Sequence, residues 1–131
     1  MTIRNLEQCF RPRSVAIVGA SQRPQSVGAI VLQNIRSGGF EGAIYPVNPK
    51  YDRIDDIACY RNAGELPDAP DLAVIVTPPR AIPGVIGELG SRGCKAAVVI
   101  TAGVDTASGL RQAMLDAARP HLMRIVGHVA Q

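Results

Sequence analysis

Four short segments of this chain combine glycine, proline, threonine and one lysine in the way a phosphate-bearing ligand would require. The first runs from Gly19-Ala20-Ser21 to Ser26-Val27-Gly28, between an apolar run and a stretch of helical periodicity. Free backbone N–H groups at the start of a helix, together with its dipole, favour an anion there. The spacing is not that of the dinucleotide fingerprint, because Ala20, Ser21 and Gln22 intervene and the next glycine is Gly28. A plain strand-to-helix turn capped by Ser26 fits the same residues equally well.

The second segment, Val47-Asn48-Pro49-Lys50, stands where NAD enzymes place an acidic residue for the ribose hydroxyls. A lysine in that place points instead to a phosphorylated ribose, as in NADP or coenzyme A, with Pro49 offering an apolar edge to adenine. The competing reading is a solvated surface lysine after a turn. Thr77-Pro78-Pro79 and Thr101-Ala102-Gly103 complete the set. Paired prolines make a stiff, apolar wall for a flat ring or a pantetheine arm. A helix start with proline in its first turn, a capping Thr101 and a turn at Gly103 are the plainer alternatives.

Catalytic constellations are missing. His121 and His128 have no carboxylate or cysteine pattern beside them, no serine sits in a nucleophile elbow, and no metal-ligand cluster is spelled out. Asp55-Asp56 reads as a solvated loop. No catalytic or metal-binding residue is therefore assigned.

The elements that must position these loops follow from periodicity. Ser14 to Gly19, Ala43 to Val47, Asp71 to Val76, Ala96 to Ile100 and Leu122 to Val126 read as strands, short and β-branched or alanine-rich. Pro46 and Pro49 push the second of them toward a strand end or a sheet edge. Val27 to Arg36, Ile82 to Arg92 and Leu110 to Arg119 carry apolar residues at helical spacing, and Gly38-Gly39 and Gly93 act as stops. Residues 51–70 support only a short helix around Tyr60 to Gly64. Strand and helix alternate throughout, which predicts an α/β Rossmann-like, doubly wound parallel sheet in a single three-layer domain over residues 1–131. Ligands of such sheets sit beyond the carboxyl ends of the strands, where all four segments fall.

Composition sets the outer bounds. A chain of 131 residues suits one domain, and 47% hydrophobic against 19% charged residues is that of a globular protein. With five aromatic residues the core must be aliphatic. No apolar run approaches the roughly 20 residues of a membrane span. Arg4 and Glu7 interrupt any secretory signal, so the cytoplasm is expected. Cys9, Cys59 and Cys94 are odd in number and unpaired in spacing, and read as small reduced hydrophobes. The net charge of +3 comes from scattered arginines without an aromatic platform, which argues against nucleic acid.

Taken together, Phe10-Arg11-Pro12-Arg13 with Ser14 to Ser21, Gly38-Gly39-Phe40 with Gly42, Ile44 to Lys50, Leu66-Pro67, Asp71 to Pro79, Gly93 to Gly103 and Met123 to Gly127 form a specific pattern. In order and spacing the chain resembles the N-terminal coenzyme-A-binding domain of the NDP-forming acyl-CoA synthetases. The resemblance is closest to the branch with ADP-forming acetyl-CoA synthetases and synthetase-like protein lysine acetyltransferases. It implies coenzyme A, or an acyl-CoA, as ligand. It also implies that the loop of Gly19 to Gly28 approaches phosphates and pantetheine, that Asn48, Pro49 and Lys50 surround adenosine and the 3′-phosphate, and that Thr77 to Pro79 and Thr101 to Gly103 line the remainder. Relatives continue beyond this point into a domain with a phosphorylated histidine; here Gly127-His128-Val129-Ala130-Gln131 ends the sequence. Asp56 and Asn62 also replace a glycine and a serine common in relatives.

The resulting expectation is a coenzyme A module, noncatalytic alone and the N-terminal part of a longer synthetase or acetyltransferase, with self-association as a further possibility. Its rivals are an NADP-binding reductase-type domain and a degenerate regulatory domain without ligand.

Overall fold

The computed structural model describes residues 12–100, 110–121 and 123–126. Five parallel strands form the central sheet: β1 (Ser14–Val18), β2 (Ala43–Val47), β5 (Leu72–Ile75), β6 (Ala96–Val99) and β7 (Arg124–Val126), in the order β2-β1-β5-β6-β7. From β1 the chain winds outward to β2, then returns to β5 and winds the other way through β6 to β7. The winding thus reverses between β1 and β5, the place where doubly wound sheets open a crevice.

Strand composition explains the layering. Alternate residues of a strand face opposite sides. In β1, Val15 and Ile17 pack with Leu32 of helix α1 (Val27–Ser37), while Ala16 and Val18 pack with Ile82, Ile86 and Leu89 of α2 (Ile82–Ser91) and Met114 of α3 (Leu110–Ala118). These are the two cores of a three-layer domain. Ile17, Ile75, Val99 and Leu89 are wholly buried, so the aliphatic core expected from composition is present. Among the described residues no helix is long and apolar enough to cross a membrane, and no polar or charged residue is wholly buried.

The runs read as strands end one residue early at Val18, Ile75 and Val99, although Gly19, Val76 and Ile100 still donate to the last carbonyls of the neighbouring strands as the chain turns into loops. Helix α2 follows a 3-10 turn at Pro79–Ala81, and a 3-10 turn at Arg119–His121 follows α3. Gly93, at φ 102°, adopts the left-handed conformation that stops α2. Pro46 lies in an edge strand, as its missing N–H demands.

Strict alternation of strand and helix does not hold. Between β2 and β5 the chain forms an antiparallel hairpin, β3 (Arg53–Ile54) and β4 (Ile57–Ala58), and then a 3-10 turn at Ala63–Glu65 in place of the helix expected around Tyr60 to Gly64. Ile54 is buried in the α1 layer with Ile57 packed beside it, and Asp55 takes φ 55° at the tip. Outside contacts hold the hairpin: Arg36 pairs with Asp55 at 3.7 Å and Asp56 at 2.9 Å, and the Gln22 side-chain amide donates to the Arg53 carbonyl at 2.8 Å.

Two buried cysteines, Cys59 and Cys94, are free thiols, as expected; Cys9 lies outside the described residues. Burial pushes the Cys94 thiol from an ordinary 9.0 up to about 11. Below about pH 9 the thiol is neutral in both states; as pH rises from there towards about 11 the unfolded chain loses the proton while the folded chain keeps it, so stability falls across that interval. Urea unfolding should show stability falling across that interval, and less steeply in Cys94→Ala.

Candidate functional site

The carboxyl ends of β1, β2 and β5 are stitched together by backbone bonds that run past the strands themselves. Gly19 N–H donates to the Val47 carbonyl at 2.8 Å, and Val76 N–H to the Val18 carbonyl at 2.9 Å. Gly19 makes this possible. Its φ of 101° is left-handed, and a Cβ there would stand 2.7 Å from a Val76 methyl. Gly28 lets α1 close on the same point, since a Cβ on it would stand 2.1 Å from the Gly19 carbonyl oxygen.

Asn48 is the second fastening. Its Nδ2 donates to the Ala20 carbonyl and its Oδ1 accepts the Lys50 N–H, both at 2.8 Å, so one half-buried side chain joins the first loop to the second. The Asn48 N–H in turn donates to the Tyr60 carbonyl at 2.8 Å, which ties in the segment after the hairpin.

These ties enclose a cleft of about 450 Å³, within the size of small-molecule sites. Of the residues expected to meet a ligand, it is lined by Gly19, Val47, Asn48, Pro49, Lys50, Thr77 and Pro78. Lys50 is exposed on its rim, and among the described residues no carboxylate pairs with its ammonium. The Thr77 hydroxyl oxygen is buried without a partner among the described residues, leaving hydrogen-bonding capacity unused at the cleft wall.

Other expected residues sit elsewhere. Ala20 is buried in the core. Ser26 caps α1, accepting from Ala29 N–H at 3.2 Å, so the capping reading describes its local role. Val27 is half exposed on α1, Gly28 is packed beneath the loop, and Pro79 opens the 3-10 turn. The Ser21 hydroxyl lies 3.4 Å from the Tyr51 phenol, beside a second groove between α1 and the hairpin. Thr101, Ala102 and Gly103 lie outside the described residues, as do His128 and the side chain of His121.

The junction of the first two loops is electropositive. The Tyr51 phenol is held below its ordinary range, first by its bond with Ser21, then by the Gln22 backbone N–H, with the charges of Arg23 and Lys50 adding to the effect. Helix α1, which starts from this loop, carries no acidic residue in its first turn. An anionic oxygen is therefore favoured here.

Arg61, Asn62, Ala63, Val85 and Glu88 also line the cleft and were not anticipated. The segment of Arg61 to Ala63 arrives through the hairpin, whose only signal is the alternation Arg53-Ile54-Asp55-Asp56-Ile57 around a two-residue turn. Glu88 is held by accepting the Ala63 N–H at 3.2 Å. Among the described residues there is no cluster of metal-ligating side chains.

Comparison with known proteins places this geometry in context. Residues 13–129 match the family model described as a CoA binding domain. The ADP-forming acetate–CoA ligase II of Archaeoglobus fulgidus is 35% identical over 130 residues, covering 96% of this chain and 19% of that protein. An ADP-forming acetate–CoA ligase of Methanocaldococcus jannaschii is 42% identical over 118 residues, 88% of this chain and 16% of the relative. Among solved structures, the apo form of a dinucleotide forming acetyl-coenzyme A synthetase 1 from Ca. Korarchaeum cryptofilum superposes with a TM-score of 0.89 at 38% identity, covering 94% of this chain and 27% of that one. The chain thus spans about a fifth of the length of the curated relatives it matches.

Because Asn48 serves both loops at once, Asn48→Ala should lower stability by about 2 kcal/mol by leaving the Ala20 carbonyl and Lys50 N–H without their partners. Urea denaturation measures that loss. Gly28→Ala, which forces a methyl against the Gly19 carbonyl, should cost about 1–3 kcal/mol by the same measurement.

Proposed function

The chain belongs to the CoA binding domain family, and on that premise we propose that it takes coenzyme A, or an acyl-CoA, in the cleft at the ends of β1, β2 and β5. The observation that carries this reading is the convergence of three strand-end segments on one cleft whose rim bears the exposed Lys50 ammonium. A charged ligand with an apolar body suits both features: Val47, Ala63, Val85 and the two prolines Pro49 and Pro78 supply apolar wall.

The parts of the ligand distribute by chemistry. Adenine lies against Pro49 and Val47, and the 3′-phosphate of the ribose meets Lys50, since residues at the end of the second strand face the ribose in such sheets. The diphosphate lies toward the electropositive start of α1. The backbone at Gly19 carries no side chain to hold it off. Thr77 and Pro78 then border the outgoing pantetheine, whose amides match the unused Thr77 hydroxyl.

In this reading the chain positions a thioester partner and performs no bond-making step by itself. The acyl group, its activation and the nucleotide belong to other parts of an ADP-forming acyl-CoA synthetase, or of an acetyltransferase carrying a synthetase-like region.

Thermal unfolding with each candidate ligand tests the reading. Coenzyme A at about a hundred times its dissociation constant adds about 2.7 kcal/mol to the native state and so raises the melting temperature. A rise with NADP alone would reject the proposal in favour of a reductase-type domain, and no response to either would favour a degenerate domain. Lys50→Ala should weaken coenzyme A more than dephospho-coenzyme A, because only the former carries the phosphate that the ammonium contacts; equal losses would remove Lys50 from that role.

A further inference from the structure

We propose that Arg61 is a second cation at the ribose phosphate, acting with Lys50 to set the preference for the 3′-phosphorylated ligand. This rests on the coenzyme A reading and sharpens it.

Arg61 reaches the cleft by a backbone device. Tyr60 N–H donates to the Pro46 carbonyl at 2.9 Å, and the Tyr60 carbonyl accepts from Asn48 N–H at 2.8 Å. The resulting parallel bridge between Val47 and Tyr60 lays the segment after the hairpin along the free edge of β2. The next residue is therefore delivered to the rim where Asn48, Pro49 and Lys50 leave the strand, and Arg61 lines the same cleft as Lys50. Its position does not depend on its charge, because its N–H is held by Glu65 Oε1 at 3.3 Å.

The guanidinium is lightly engaged. Its ion pair with Asp52 is 3.9 Å long between side chains 64% and 91% exposed, and a pair so loose and so well solvated gives way easily to a better acceptor. A phosphate is that acceptor: the planar guanidinium can bind two of its oxygens at once, which an ammonium cannot. Location chooses among the ligand's phosphates. In doubly wound sheets the end of the second strand faces the ribose while the diphosphate sits at the first helix, so a cation arriving along β2 meets the ribose substituent. Asp52 competes for the same guanidinium.

Calorimetric titration of the 131-residue chain with coenzyme A and with dephospho-coenzyme A tests the inference. Arg61→Ala should weaken coenzyme A roughly tenfold or more, and dephospho-coenzyme A by about twofold or less. Arg61→Lys should restore only part of the loss, and Asp52→Asn should bind coenzyme A at least as tightly as the unaltered chain. Equal losses for the two ligands, no loss in Arg61→Ala, full restoration by lysine or weaker binding by Asp52→Asn would each overturn the role of Arg61. An unaltered chain that binds no coenzyme A would overturn the underlying reading and this inference together, whereas one that binds it yet ignores Arg61 would overturn this inference alone.

Discussion

The Gly19 N–H bonds to the Val47 carbonyl across the mouth of the sheet, and the arrangement of the carboxyl edge depends on that one contact. It requires a left-handed residue with no side chain at the end of β1, because Val76 fills the space a Cβ would take. It requires the first helix to start with Gly28 pressed against the carbonyl of Gly19 itself. Once these are met, the ends of β1, β2 and β5 stand level, and Asn48 fastens the first loop to the second. The cleft is what remains between loops tied so closely at their bases.

That geometry separates apolar body from polar rim. The strand ends and α2 line the interior with Val18, Val47, Val76 and Val85, while the cations stand outside where water can reach them. The separation matters energetically. An unpaired cation buried in the cleft would carry a desolvation penalty, whereas one on the rim stays solvated and still meets a ligand whose phosphate projects outward. The Tyr51 phenol is held low first by its bond with Ser21, then by the Gln22 backbone N–H, with the charges of Arg23 and Lys50 adding to both. The hairpin contributes by carrying Arg61 to the edge of β2, which gives a functional reason for a feature that breaks the regular alternation of strand and helix.

Much of this was legible in the residues. Short apolar runs flanked by glycine and proline identify strands with little ambiguity when helices of clear periodicity separate them, and Pro46 marks its own strand as an edge. The loops that follow each strand are known as soon as the strands are, so Gly19, Asn48, Lys50 and Thr77 could be nominated together. What was not legible depends on contacts distant in sequence. Little near Asp55-Asp56 announces a hairpin, because two aspartates are weak turn formers beside Asn-Gly, and the hairpin is held from the first helix and its loop, by Arg36 on the two aspartates and by Gln22 on the Arg53 carbonyl. Arg61 belongs to the cleft through that hairpin and the turn after it, and Glu88 of α2 is fixed by its bond to the Ala63 N–H in that turn. Conversely, Ser21 and Ser26 have the composition of a phosphate loop, yet a bond distant in sequence turns one toward Tyr51 and a local one uses the other as a helix cap.

The central claim is one of place: that three strand-end segments act as a single receptor. Amide chemical-shift mapping during titration with coenzyme A tests it most directly. The account predicts that the largest changes fall on Gly19, Asn48, Lys50 and Thr77, with Arg61 and Asn62 beside them. Changes centred on Gln33, Asn34 and Asp55, in the groove between α1 and the hairpin, would contradict it.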